Sequence, residues 1–203
     1  FCRAMWKHDF ASAACYELAR LYALKGEMGQ ALDKLDQTLR LSPCSLRARN
    51  LRCAILRSMG KAQQAYEEAA QTVQMDKLDL WARVEMRSAA SQAGHTQEVQ
   101  QIAAQTQEIF PCQAEDLIDI ACEYMYCGLY PDALDVLEGE RENYPLAMYY
   151  AAFIESQMGA DPAHSFAKAA ANESRCFPSR LDDIQVLQFA ITHAQRPARA
   201  CYL

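Results

Sequence analysis

Apolar side chains recur along this chain every three or four positions, and glycine or proline interrupts them at regular places. In "CYELARLYALKGEMGQALDKLDQTLRLSP" (15–43), Leu18, Ala19, Leu21, Ala23 and Leu24 form one run, and Ala31, Leu32 and Leu35 form the next. Such spacing puts apolar groups on one side of an α-helix. Gly26 stands between the runs, and in a helix interior it would cost roughly 1 kcal/mol against alanine, so it marks a turn between two helices. "LIDIACEYMYCGLYPDALDVLE" (117–138) repeats the arrangement around Gly128, and "LDDIQVLQFAITHA" (181–194) reads as one more amphipathic helix. Strand signals are nearly absent: no alternation of period two is sustained, and no Asn-Gly or Asp-Gly hairpin turn occurs.

The glycines keep time. Gly26, Gly60, Gly94 and Gly128 are each 34 residues apart, in a chain with 7 glycines. Five residues past each stand Ala31, Ala65, Val99 and Ala133, small groups suited to a close approach of helices. Four before each stand Tyr22, Leu56, Ala90 and Tyr124, where a larger group fills the space between helices. Seventeen past each stand Pro43, Lys77, Pro111 and Pro145. Proline cannot continue a helix and turns its predecessor away from helical dihedrals, so these positions are expected to stop the second helix of each pair.

A period of 34 in a helix–turn–helix unit resembles the tetratricopeptide repeat. Leu18, Ala19, Tyr22, Ala31, Leu35 and Pro43 fall on the family pattern, with Cys15 in place of its usual tryptophan. Ile120, Ala121, Tyr124, Gly128, Ala133 and Leu137 match it almost as well, while Arg52 and Arg87 depart from apolar or small positions. The resemblance implies an all-α fold, an α-solenoid of stacked antiparallel helix pairs coiled into a right-handed superhelix. No pair buries its apolar stripe alone, so each leans on its neighbours.

The expected units are 12–45, 46–79, 80–113 and 114–147, then a fifth over 148–178, a helix over about 180–194 and the start of a further unit. Residues 1–11 read as the tail of a preceding element. Gly159 comes three residues early for the frame, which predicts a changed turn there, and Asp161-Pro162 reads as an N-cap followed by proline at the first helical position. No signal peptide layout opens the chain, and "RPARACYL" resembles the opening of another repeat without a polar cap, so the 203 residues are expected to be a piece of a longer protein. "CYELARLYALKGEMGQALDKLDQTLRLSPCSLRARNLRCAILRSMG" with "CFPSRLDDIQVLQFAI" resembles the repeat region of large bacterial proteins whose preceding domain is of uncharacterised, carbohydrate-active type.

Charge narrows the partners. A net charge of −6 and a pI near 5.3 argue against nucleic acid, whose binders carry a basic footprint. No run of about 18 uncharged apolar residues is present to span a membrane. The nine cysteines have no zinc-knuckle spacing, and His8, His95, His164 and His193 are scattered among different units, so no metal or other cofactor is expected. The thiols read as small fillers of alanine-like sites, and their odd number without a framework favours a reducing, cytoplasmic setting. No nucleophile elbow, phosphate-cradling loop or His-Glu-x-x-His helix supports catalysis. Asp116, Asp119 and Glu123, at helical spacing, read as a solvated face.

The remaining expectation is binding. In the family that the chain resembles, the first helix of each pair lines the concave surface, which implies Ala13, Tyr16, Arg20, Ala23 and Leu24 in the first unit and Arg47, Asn50, Ala54, Arg57 and Ser58 in the second. Tyr16, Arg20, Arg47, Asn50 and Arg57 are thus candidates for a groove that grips an acidic or C-terminal peptide, since arginine holds a carboxylate in bidentate fashion. The alternative for "RARNLR" is a plain solvated helix face. The chaperone-tail variety of the family has lysine and asparagine where Tyr16 and Arg20 stand, so that specialisation is not carried over. In later units the equivalent residues are Ile118, Cys122, Met125, Tyr126, Tyr149 and Tyr150, which read either as an apolar groove or as core. The partner is then a protein or peptide, or an adjoining domain of the same chain. The other role is an accessory region bracing a carbohydrate-active enzyme, and self-association through uncapped ends stays open.

Overall fold

The computed structural model describes residues 8–111, 113–139, 143–194 and 198–203. Among these the fold is all-α, with consecutive packed helix pairs and no strand. The helices are α1 (His8–Leu24), α2 (Met28–Leu41), α3 (Leu46–Ser58), α4 (Ala62–Met75), α5 (Leu80–Gln92) and α6 (Thr96–Ile109), then α7 (Ala114–Tyr126), α8 (Tyr130–Leu137), α9 (Pro145–Gln157), α10 (Ala163–Ala171), α11 (Leu181–His193) and α12 (Ala198–Tyr202). The chain divides into two compact units, Phe1–Cys112 and Gln113–Leu203. In the first, each helix packs on the next and α3 also packs on α5. In the second, α9 is central, touching α7, α8, α10 and α11.

The sequence period is a period of structure. Helices α2, α4, α6 and α8 begin at Met28, Ala62, Thr96 and Tyr130, and α1, α3, α5 and α7 end at Leu24, Ser58, Gln92 and Tyr126, each 34 residues apart. The glycine two residues past each of those ends has a positive φ, 79° at Gly26 and 76° at Gly60. No heavy atom lies within 4 Å of where a Cβ would stand on either. Backbone conformation rather than crowding therefore requires glycine there. The same hydrogen bonds close each turn: Gly26 N–H donates to Ala23 O at 2.8 Å and Glu27 N–H to Tyr22 O at 2.9 Å, with Gly60 to Arg57 and Lys61 to Leu56 repeating them at 3.0 and 2.9 Å. This pair of bonds satisfies carbonyls that a helix end leaves without partners.

Packing follows from the same frame. Ala31, Ala65 and Ala133 are fully buried, while Val99 is half-buried. Ala65 sits in a cluster with Cys53, Leu56, Ala69 and Ala89, against which Leu32, Tyr66 and Met86 pack. A methyl-sized side chain lets the paired backbones come close enough for this contact. A second recurring device closes the even-numbered helices. Thr38, Thr72 and Thr106 each donate Oγ1–H to the carbonyl four residues back, at 2.9, 3.0 and 2.7 Å, so the hydroxyl finds a partner within its own last turn.

Four expectations need correction. Residues 1–7 lie outside the described residues, but His8–Ala11 form the first turn of α1 rather than a preceding element. Pro145 does not stop a helix: it opens α9 from the first helical position, where a missing N–H costs nothing. The turn at Gly159 is unchanged, with φ 76° and the same bonds, Gly159 to Ser156 at 3.0 Å and Ala160 to Glu155 at 2.9 Å. Its early arrival comes from upstream, because α8 has 8 residues against 14 in α2 and α9 begins at Pro145. Pro162 occupies the N-cap of α10, one residue later than expected, while Asp161 Oδ1 still accepts the Ala163 N–H at 3.0 Å.

Candidate functional site

The first unit places Tyr16 and Arg20 on α1, and Arg47, Asn50 and Arg57 on α3. Tyr16 is buried, and two guanidiniums converge on its ring: Arg47 Cζ lies 5.1 Å from the centroid and Arg20 Cζ 6.0 Å. Arg20 also pairs with Glu17, its Nη1 lying 2.9 and 3.0 Å from the two carboxylate oxygens. That carboxylate offsets the repulsion of gathering two cations on one ring. Arg47 remains exposed, its fork held by the ring beneath it; such contacts are worth roughly 0.5–1 kcal/mol at exposed sites.

Asn50 and Arg57 are committed inward. Asn50 Nδ2 donates to Asp79 Oδ2 at 2.8 Å, and Asp79 Oδ1 accepts the Ala82 N–H at 3.1 Å, capping α5. Arg57 Nε donates to Glu85 Oε2 at 3.0 Å, while the Trp81 indole donates to Glu85 Oε1 at 3.2 Å. The Arg57 and Glu85 side chains are 4% and 0% exposed. Their contacts tie α3 to α5 rather than opening toward solvent. Arg52, the departure noted in the second repeat, spans from Asp36 at 3.4 Å to Glu68 at 3.3 Å, so a cation there joins α2, α3 and α4.

The second unit treats the equivalent surface differently. Ile118, Cys122, Tyr149 and Tyr150 are buried, as the core alternative has it, and Tyr126 is 38% exposed. Arg180 and the first turn of α11 reach α7. Arg180 donates from Nε to Asp119, from Nη1 to Glu115 and, at 2.7 Å, from Nη2 to the Glu115 carbonyl. The Tyr126 hydroxyl donates to Asp182. Buried Asp183 accepts the Tyr150 hydroxyl at 2.6 Å and the Ser179 and Arg180 N–H groups at 2.7 and 2.8 Å. Burial pushes the Cys122 thiol up to about 12, against a smaller opposing hydrogen bond from Tyr150. Burial likewise raises Tyr150 and, in the first unit, Cys53.

These surfaces offer hydrogen bonds and charge. Among the described residues no group of three His, Cys, Asp or Glu side chains could hold a metal ion, and no helix is long and apolar enough to cross a membrane. Cys15, Cys53, Cys122, Cys127 and Cys176 are buried, and Cys44 and Cys201 exposed; Cys2 and Cys112 lie outside the described residues.

Sequence reasoning missed Asp79, Glu85, Arg180 and the pair Arg49 and Arg83. Each member of that pair grips the carbonyl six residues back with two donors, Pro43 at 3.1 and 2.9 Å and Lys77 at 3.1 and 2.9 Å. Their 34-residue spacing was available as a signal. Nothing local announces that Arg180 meets Glu115.

No family model matches the chain, and no curated protein matches it. Among solved structures it is similar to the MamA protein, with 15% identity over 84% of this chain and 100% of that one and a TM-score of 0.48. It is also similar to a tetratricopeptide repeat protein from Parabacteroides merdae, with 17% identity over 87% of this chain and 70% of that one and a TM-score of 0.49. The 34-residue period and the recurring helix boundaries, rather than these likenesses, carry the resemblance to tetratricopeptide repeats.

Proposed function

We propose that this chain is a non-catalytic interaction scaffold, and that the odd-numbered helices of its first unit hold an acidic peptide or an acidic surface of an adjoining domain. The single supporting observation is the exposed Arg47 guanidinium laid on the buried Tyr16 ring, 5.1 Å from its centroid. An arginine whose plane is set beforehand loses less freedom on pairing with a carboxylate. Arg20, second on the same ring, is answered by Glu17, so Arg47 supplies the positive charge of the patch. Asn50 and Arg57 shape the surface from beneath instead of touching the ligand.

The test is titration of an immobilised oligoglutamate peptide with a free C-terminal carboxylate, with an oligolysine peptide as control. Capture of the oligoglutamate peptide alone is expected, lost with R47E and weakened with R47K at unchanged helicity. Equal capture by R47E and the unsubstituted chain would remove Arg47 from the site and this reading with it.

A further inference from the structure

We propose that residues 172–180 are a built-in occupant of the α7 face, a strap closing the second unit until the Arg180 clamp is withdrawn. The proposal rests on the reading that odd-helix faces receive partners. Three observations carry it.

The first is geometry. Nine residues, 172–180, join α10 to α11, where four, 42–45, join α2 to α3. The excess ends in Arg180, each of whose three guanidinium nitrogens donates to Glu115 or Asp119 on α7. Glu115 stands one 34-residue period beyond Trp81 and two beyond Arg47, so the strap meets α7 where the first unit exposes Arg47.

The second is the strength of the clamp. Arg180 is 14% exposed, but the Glu115 and Asp119 carboxylates are 43% and 62% exposed. Ion pairs that open to water are worth little and weaken with salt. The hinge is firmer. Asp183 is buried and fully engaged, and Val186, Leu187 and Ala190 bury behind it. With Ser179 and Arg180 fixed to Asp183 through their N–H groups, releasing the clamp frees the Arg180 side chain and the segment before Ser179 while α11 stays on α9. The strap's other end is held by Arg199, which donates to the Ser174 carbonyl.

The third is what the strap carries and covers. Phe177 is 78% exposed, an apolar group with water around it, while its neighbour Cys176 is buried and is the one strap side chain between Asn172 and Arg180 seated in the core. Beside the clamp, on α7, is Cys122, buried, bonded to Tyr150 and within electrostatic reach of Arg180 and Asp182. This thiol reports on the strap directly.

Thiol labelling of the whole chain, resolved by peptide mass spectrometry, tests the idea without any partner. R180E sets a third carboxylate against Glu115 and Asp119, and is expected to speed Cys122 labelling on the order of tenfold. Cys127, fully buried at the end of α7, should stay as slow as before. Raising salt on the unsubstituted chain should move Cys122 the same way by less. The strap is overturned if Cys122 labels no faster in R180E. It is equally overturned if Cys122 and Cys127 accelerate together, since the segment would then be part of the core. Because no ligand enters, failure of peptide capture at Arg47 leaves this result standing, and failure here leaves the Arg47 patch standing.

Discussion

The two units share one helix-pair design and differ in the charge their odd-numbered helices carry. In the first, α1 and α3 present arginines, two of which share the Tyr16 ring while Arg57 turns inward to Glu85. In the second, α7 presents Glu115 and Asp119, and the chain's own Arg180 answers them. The turn glycines, the alanines wedged between paired helices and the 34-residue boundaries are common to both. What differs is the odd-helix face, and the lesson is that one backbone period leaves that face free to be polar and open or to be occupied from within.

The largest expected effect strikes the inward half of the first unit. Arg57 and Glu85 are an almost wholly desolvated pair, and removing one partner strands a buried charge at a cost of about 3–5 kcal/mol. R57A and E85A should each lower the unfolding free energy of the first unit, read by denaturant titration, by that much, whereas R47A, at the surface, should change it by about 0.5 kcal/mol or less. The double replacement R57M/E85M should recover much of the loss, since a hydrophobic pair of similar volume is often neutral. If R57A unfolds no more easily than R47A, the division into a structural and an exposed arginine is wrong.

The next effect should be the same in both units. Gly60 and Gly159 share φ 76° with open space around the missing Cβ. G60A and G159A are each expected to cost about 1–2 kcal/mol, the price of left-handed backbone for a residue with a Cβ, and asparagine should cost less at either. Urea unfolding of the two variants checks it. A cost at one turn and none at the other would break the claim that the early Gly159 closes an ordinary turn.

Helices, turns and close-packed alanines were legible because they repeat. Any single glycine is ambiguous, but Gly26, Gly60, Gly94 and Gly128 at one interval are not. Legibility ended where the period did. The shortening of α8 moved Pro145 from a stop to a start, and no local signal separates those roles, since proline suits both the residues after a helix and its first turn. The candidate site was half readable. The repeat positions implied by the family resemblance grouped Tyr16 with Arg47, but the direction in which Arg57 turns depends on Glu85, a residue 28 positions away. Arg180 and Glu115 lie 65 apart, joined only by the path of the extended segment between α10 and α11.

The smallest effect is also the one that tells the faces apart most finely. Burial holds the Cys122 thiol up at about 12, above the usual value near 8.5–9, so the folded chain keeps a proton that the unfolded chain gives up. That contribution is fully present below pH 9 and is lost as pH rises from 9 toward 12. At pH 10 it removes about 1.5 kcal/mol of stability, and C122A should flatten the fall in unfolding free energy between pH 8 and 10 by that amount. Cys53, raised by burial in the first unit, should behave alike under C53A. R180E then separates an open face from a shut one. The Arg180 charge by itself lowers the Cys122 thiol, but a thiol held near 12 is protonated throughout pH 8 to 10, so deleting that charge without opening the face would leave the alkaline fall as it is. Lifting the strap returns the thiol to water, removes the larger cause, and makes R180E resemble C122A while the Cys53 contribution stays in place. An unchanged alkaline fall in R180E would mean that the second face is shut by its core and not by Arg180.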